Sequence, residues 1–368
     1  MNQNDYSNYF TQKIGEGNQI IHGNTNMTWA EYDLKEMIRK SQNAPSVIMW
    51  SLGNEISEGA GGNPADYIAH AKNLVKWALE LDTTRPLTIG DNQGDLKFKP
   101  IHELVSKHGG VVGFNYKTDD FMRKLHEEHP SWTFMMSETA SSIHTRSWYR
   151  THGQDNENMQ LSAYDTDEAR VGWGASASES WRRVIENDFI AGEFVWTGFD
   201  YLGEPTPWNG IGTGSVSGHG AKPNSSYFGI IDTAGFPKDT YYYYHSAWKD
   251  DESTLHLMPT WNKENLKIDE NGNVRVDVFT DAKKVSLYLN GKEIASDEAT
   301  VHTTEAGYTY RRFASTDHKK PYASFNVKYE PGELTVRAWD DNGNEITDKA
   351  VGRKSVATYG QATQLKAR

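Results

Sequence analysis

The 368-residue chain carries 50 acidic against 38 basic residues, a net charge of −12, and no cysteine. Such a balance argues against nucleic-acid or anionic-membrane partners, because phosphate would be repelled; the missing thiols exclude disulfide scaffolds, thiol catalysis and cysteine–zinc sites. No apolar run approaches the roughly 18 residues of a spanning helix, and MNQNDYSNYF has neither the basic nor the apolar region of a signal peptide, so a soluble protein is expected; the sequence leaves the compartment open, with the cytoplasm slightly favoured.

In chain order, residues 1–27 are polar, and Thr28-Trp29-Ala30-Glu31 reads as a capping box opening a helix to about Arg39. SVIMWSL at 46–52 has the length and character of a strand. Asn63 can cap and Pro64 suits the first helical position, and the segment that follows has apolar spacing near 3.6. PLTIG (86–90) is a short strand, 100–108 a weaker helix, and GVVGFNY (110–116) a further strand. Thr118 can cap a helix through about His129, and WTFMMSE (132–138) reads as a buried strand. A polar stretch at 141–175 precedes a helix near 178–190 and a strand in AGEFVWTGFDY. Strands interleaved with helices imply a parallel sheet with helical crossovers.

After about residue 250 the period changes. NVRVDVFTD, KVSLYLNGKEI and GELTVRAWDDNGNEI alternate apolar with polar, and Asn-Gly pairs at 271–272, 290–291 and 342–343 mark tight turns. The expectation is an α/β domain over 1–250 followed by an antiparallel β-sandwich of Ig-like topology over 251–368.

The chemistry sits at strand ends. Glu55 closes WSLGNE and Glu138 closes FMMSE, each directly after apolar strand residues. In a parallel α/β barrel such ends meet at one mouth. Two facing carboxylates suit glycoside hydrolysis, one protonating the leaving oxygen and the other attacking the anomeric carbon; a separation of about 5–5.5 Å would give retention of configuration. No HExxH spacing and no Gly-rich phosphate loop after a strand is present.

SVIMWSLGNEISEG resembles the acid/base segment of family 2 glycoside hydrolases, and FMMSETASS resembles their nucleophile segment. FVWTGFDYLGEPTPW with SSYFGIIDTAGFPKDTYYYYHSAW resembles the eighth strand and following loop of the β-galactosidase branch, and NDYSNYF resembles the stretch after the third strand. The resemblance implies a (β/α)8 TIM-barrel portion, about strands four to eight, followed by the β-domain. It makes Glu55 the general acid/base, starting protonated, and Glu138 the nucleophile. It gives Asn54 the sugar 2-hydroxyl, Tyr116 a hydrogen bond to the nucleophile, and Trp196 the floor under the sugar ring. Asp91, Asp200 and Trp208 become candidate contacts to sugar hydroxyls, with Glu204 and His144 as weaker rim candidates. No metal site and no cofactor is required, since two carboxylates suffice.

The resemblance also implies what should precede this chain: two β-domains and three barrel strands. Five strands leave a barrel open with apolar edges, so a missing N-terminal segment or subunit is the expected partner, alongside a β-galactoside substrate. The glucuronidases of the family place an Asn-x-Lys element after the last strand, where this sequence reads GHGAKPNSSYFG. A β-galactosidase is therefore expected first, a β-glucuronidase or other family 2 β-glycosidase second. The reading from another class is a non-catalytic subunit that is inert without its N-terminal partner.

Overall fold

The computed structural model describes residues 9–15, 26–56, 64–93, 98–150, 161–166, 169–203 and 225–360. The chain divides into two compact units, Met1–Glu138 with Asn187–Phe194, and Thr139–Glu186 with Val195–Arg368.

The first unit holds α1 (Trp29–Ser41), β1 (Trp50–Asn54), α2 (Pro64–Leu79), β2 (Leu87–Asp91), α3 (Lys99–Lys107), β3 (Val111–Asn115) and α4 (Asp119–Glu128), with most of β4 (Thr133–Ala140) and β5 (Ile190–Trp196). The sheet order is β1-β2-β3-β4-β5, and the first three pairings are parallel. All five residues of β2 are buried, as expected where both faces of a parallel sheet are covered. Ile38, Ala71, Val75, Leu87, Ile89 and Val105 share one core cluster beside this sheet.

Local chemistry accounts for the element ends. Thr28 Oγ1 accepts from the Glu31 amide at 3.3 Å, as the capping box requires, but Glu31 turns its carboxylate to Lys35 at 2.6 Å rather than back to the cap. Thr118 caps α4 by accepting from the Phe121 amide, and Asp119 and Asp120 complement the helix dipole. The first strand begins at Trp50, later than the apolar run suggests. Arg85 Nε binds the Val47 carbonyl at 2.7 Å and holds that segment off the ladder, which starts at Trp50 opposite Leu87. The Trp50 indole donates to buried Asp82, and hydrogen bonds from Thr84, Trp50 and Arg85 outweigh burial to hold the Asp82 carboxyl far below the usual range.

The second unit contains α5 (Ala177–Ile185), α6 (Asp239–Trp248) and the β-rich C-terminal part. The helix expected to reach 190 stops at Ile185. Its start is fixed by Ser176, which accepts from the Glu179 amide, and by buried Asp165, which accepts from the Ala177 amide at 2.8 Å. Among the described residues the β-rich part forms two antiparallel sheets. One comprises β6 (Leu255–Met258), β7 (Asn273–Thr280) and β11 (Ala323–Lys328), ordered β11-β7-β6. The other comprises β8 (Lys284–Leu289), β9 (Lys292–Thr303), β10 (Thr309–Phe313), β12 (Glu333–Trp339) and β13 (Ser355–Ala357), ordered β10-β9-β8-β12-β13. Val274, Val276, Val285, Leu287, Leu334 and Val336 of both sheets enter one core. The β8–β9 hairpin turns at Asn290-Gly291, where φ is 53° and 79°, the left-handed pair that a tight two-residue hairpin needs.

Helix α6 runs through Tyr241–Tyr244, where no helix is expected from sequence, because aromatic runs favour strands. Its first residue, Asp239, anchors it. That buried carboxylate accepts from His256 Nε2 at 2.6 Å, Tyr149 Oη at 2.9 Å and Arg353 at 3.3 Å. Burial pushes the Asp239 pKa up, but the His256 hydrogen bond, the cations and Tyr149 bring it below its ordinary value.

Candidate active site

Parallel register places four strand ends in a row: Asn54 lies opposite Gly90, Gly90 opposite Gly113, and Asn115 opposite Glu138. Irregularities in the ladder fall between Ser51 and Asn54 and between Phe114 and Asn115, just before these residues. Immediately beyond the ladder, Glu55 and Tyr116 take φ of 43° and 59°. Left-handed backbone at bulky residues is uncommon and strained, and it concentrates at functional sites. The Glu55 amide is held by the Gly90 carbonyl at 3.0 Å, and the Tyr116 amide by the Glu138 carbonyl at 2.9 Å.

The side chains form one connected polar chain. Tyr116 Oη donates to Glu138 Oε2 at 2.6 Å, and Asn54 Nδ2 donates to Glu138 Oε1 at 2.9 Å. Asn115 Nδ2 donates to Asn54 Oδ1 at 3.0 Å and to Glu55 Oε1 at 2.8 Å. Ser137 Oγ donates to Asn115 Oδ1 at 2.6 Å. Buried Asn115 thus uses both amide hydrogens and its oxygen, which fixes its orientation. Two amides join the carboxylates across three strands. Asn54 is exposed, and Glu55, Tyr116 and Glu138 are half-buried, so the chain of bonds ends on groups that a ligand can reach.

Gly90 makes this possible. A Cβ there would lie 2.7 Å from Asn54 Oδ1 and 3.0 Å from Ser137 Oγ, closer than non-bonded atoms tolerate, so only glycine lets the amides converge above β2.

Glu55, Glu138, Asn54 and Tyr116, all singled out from the sequence, come together. Asp91 takes a different place. It is buried at the end of β2, its Oδ2 meets His102 Nε2 of α3 at 2.8 Å, and its Oδ1 accepts from the Gln93 amide at 2.8 Å. Both oxygens are therefore engaged within the protein. In the second unit, Asp200 is also buried: its Oδ1 accepts from Lys238 at 2.7 Å and from the Gly229 amide at 2.8 Å. Burial raises the Asp200 pKa and lowers that of Lys238, against their mutual attraction. Trp196 is half-buried there, edge-on to Tyr201 and packed against the cluster of Ile143, Val171 and Phe228. His144 is buried, with Nδ1 on the Ser162 carbonyl at 3.1 Å; burial pushes its pKa down to about 4. Trp208 and Glu204 lie outside the described residues. Among the described residues no cluster of His, Asp and Glu is arranged to hold a metal ion.

Sequence reasoning missed Asn115, Ser137 and Gly90. The signal for Asn115 was a polar residue closing the apolar run GVVGF next to Tyr116; no comparable signal marks Ser137.

Comparison with known proteins fits this geometry. Residues 6–216 match the family model described as "Glycosyl hydrolases family 2, TIM barrel domain", and residues 271–347 match one described as "Domain of unknown function (DUF4982)". The beta-galactosidase BoGH2A of Bacteroides ovatus is 30% identical over 404 residues, spanning 98% of this chain and 40% of that protein. A beta-glucuronidase of Bacteroides fragilis is 26% identical over 328 residues, spanning 86% of this chain and 40% of that protein. A crystal structure of a beta-glycosidase from Bacteroides vulgatus shares the fold with a TM-score of 0.60 at 23% identity, covering 90% of this chain and 39% of that one. The chain spans about two fifths of the length of these relatives.

Proposed function

The chain belongs to family 2 of the glycosyl hydrolases, and on that premise we propose that it carries the carboxylate pair of a retaining β-glycosidase acting on terminal β-D-galactosides. The observation that carries this reading is the bonded chain Glu55–Asn115–Asn54–Glu138, with Tyr116 on the far oxygen of Glu138. Glu138 attacks the anomeric carbon; the two donated hydrogen bonds fix its carboxylate, leaving it one orientation from which to attack. Glu55 gives its proton to the leaving oxygen, then takes one from the water that hydrolyses the glycosyl ester. Asn54, exposed beside the nucleophile, hydrogen-bonds the sugar 2-hydroxyl as charge develops on the ring.

In this proposal residues 1–250 supply about strands four to eight of an eight-stranded barrel, residues 251–368 form an Ig-like β-sandwich, and an N-terminal portion completes the sugar pocket. A β-galactoside is preferred because GHGAKPNSSYFG lacks an Asn-x-Lys element. The second reading, a β-glucuronide, is favoured by the similarity to a beta-glucuronidase.

The test is hydrolysis of aryl β-D-galactoside and aryl β-D-glucuronide, with Glu138→Gln as the control. The galactoside is expected to turn over faster, and the substitution to lower the rate by about 10⁴-fold or more. A faster glucuronide reverses the substrate order, and activity that survives Glu138→Gln removes the nucleophile. A folded chain inert on both favours the non-catalytic subunit.

A further inference from the structure

In the second unit, a cavity of about 320 Å³ opens between α5 and β10 with the segment that follows it. That volume falls within the range of small-molecule pockets. Its walls carry four cations, Arg182, Arg312, Lys319 and Lys320, against a single carboxylate, Glu179. Glu179 is shared by Arg182 and Arg183, at 2.8 and 3.2 Å, and Glu186 behind the wall pairs Arg312 at 2.8 Å. Lys319 is exposed, and neither it nor Lys320 has a carboxylate partner among the described residues. In a chain of net charge −12, this concentration of positive charge is the reverse of the average surface.

The wall is also aromatic and preorganised. Trp181 and Tyr310 line it. Trp181 meets Trp248 and Tyr308 edge-on at 5.9 and 6.0 Å, and these two, each about two-fifths exposed, extend the aromatic rim to the surface. The lysine segment is pinned at both ends. Phe313 donates its amide to the Lys320 carbonyl at 3.2 Å, and the next residue but one, Tyr322, is fully buried and donates to the Asp165 carbonyl at 3.1 Å. Lys320 Nζ is held on Tyr322 Oη at 2.9 Å. Cations on a pinned segment beside a packed indole suit a ligand with an anionic group on a ring whose C–H face can lie on an aromatic surface.

We propose that this cavity is a second saccharide site, selective for a sugar unit bearing a carboxylate or sulfate, with the anion on Lys319, Lys320 and Arg312 and the ring against Trp181. Three of the four cations, Arg312, Lys319 and Lys320, lie within residues 271–347, so the proposal assigns that domain of unknown function a share in binding, with Trp181 and Arg182 supplied from α5. The choice of a saccharide over other ringed anions rests on the glycosidase reading; the positive, aromatic cavity does not.

Isothermal calorimetry at low salt separates these. The probes are α-1,4-linked trigalacturonate, which a β-glycosidase does not cleave, the neutral α-1,4-linked trisaccharide maltotriose, inorganic phosphate and adenosine monophosphate. Since no turnover is measured, failure here leaves the Glu138 test untouched. Trigalacturonate is expected to bind with a dissociation constant below about 1 mM, maltotriose and inorganic phosphate at least about tenfold more weakly, and Lys319→Glu to weaken trigalacturonate by about tenfold or more. Lys319 is exposed, so circular dichroism of the variant stays unchanged; Lys320→Ala gives an independent second loss. Equal binding of maltotriose overturns the anion requirement, phosphate as tight as trigalacturonate reduces the site to an ion site, and tighter adenosine monophosphate replaces the saccharide with a nucleotide. Trigalacturonate that fails to bind, or binds undiminished in both variants, overturns the proposal.

Discussion

Glu138 in the first unit and Asp239 in the second are held by similar chemistry, and the proposed function puts them to opposite ends. Each carboxylate accepts from more than one side-chain donor: Asn54 and Tyr116 on Glu138, and His256, Tyr149 and Arg353 on Asp239. The difference is access. Asp239, His256 and Tyr149 are buried, half-buried Arg353 closes the network, and together they tie the start of α6 to β6. The network around Glu138 opens onto half-buried Glu55 and exposed Asn54. A saturated carboxylate is structural when its donors seal it in, and chemical when its donors leave it facing outward.

The comparison is broken most forcefully in the second unit. Asp239→Ala strands His256 and Arg353 without their anion, and breaking such a buried pair costs about 3–5 kcal/mol. Urea unfolding of the variant is expected to show a midpoint lowered to match. A loss under about 1 kcal/mol would show that Asp239 is dispensable, since isolated surface pairs contribute no more than that.

A smaller effect comes from pH. His144 has an ordinary pKa of 6.5 that burial lowers to about 4. The unfolded chain therefore binds one more proton than the folded chain between these values, and stability falls as pH drops from 6.5 toward 4. The full shift corresponds to about 3 kcal/mol. Asp239, with its depressed pKa, adds a loss at still lower pH, because its contribution is present above the ordinary carboxylate range and disappears as the folded carboxylate is protonated. In His144→Gln the decline between pH 6.5 and 4 should flatten; an unchanged slope would remove His144 as its source.

The first unit predicts a loss of rate with the fold retained. Asn115→Ala deletes the bonds to Glu55, Asn54 and Ser137 and should lower turnover about 10–100-fold through misplaced reacting groups. Full activity in this variant would mean that the carboxylates are positioned without it.

Much of the strand-end chemistry is legible in the sequence because charge is expensive after an apolar strand. That argument finds Glu55 and Glu138; Asp91 and Asp200, which the family resemblance added, prove to be buried. Their fate depends on His102, supplied by a helix eleven residues later, and on Lys238, supplied from a loop thirty-eight residues later. No local pattern announces such a partner. Asn115 escaped because its local pattern is only a polar residue closing an apolar run, whereas its value lies in register, opposite Glu138 and bonded to Asn54. Helix α6 is hidden by its tyrosines: Tyr243 and Tyr244 earn their place by burial against the β-rich core, which outweighs local preference.

The central claim, that Glu138 is the nucleophile of a pair it forms with Glu55, is met most directly by trapping. Incubation with 2-deoxy-2-fluoro-β-D-galactosyl fluoride, followed by intact-mass measurement and peptide mapping, should show one fluorosugar in ester linkage to Glu138, and none in Glu138→Gln. A label on Glu55 or elsewhere, or a folded and complete enzyme that turns over galactosides without ever acquiring one, would contradict it.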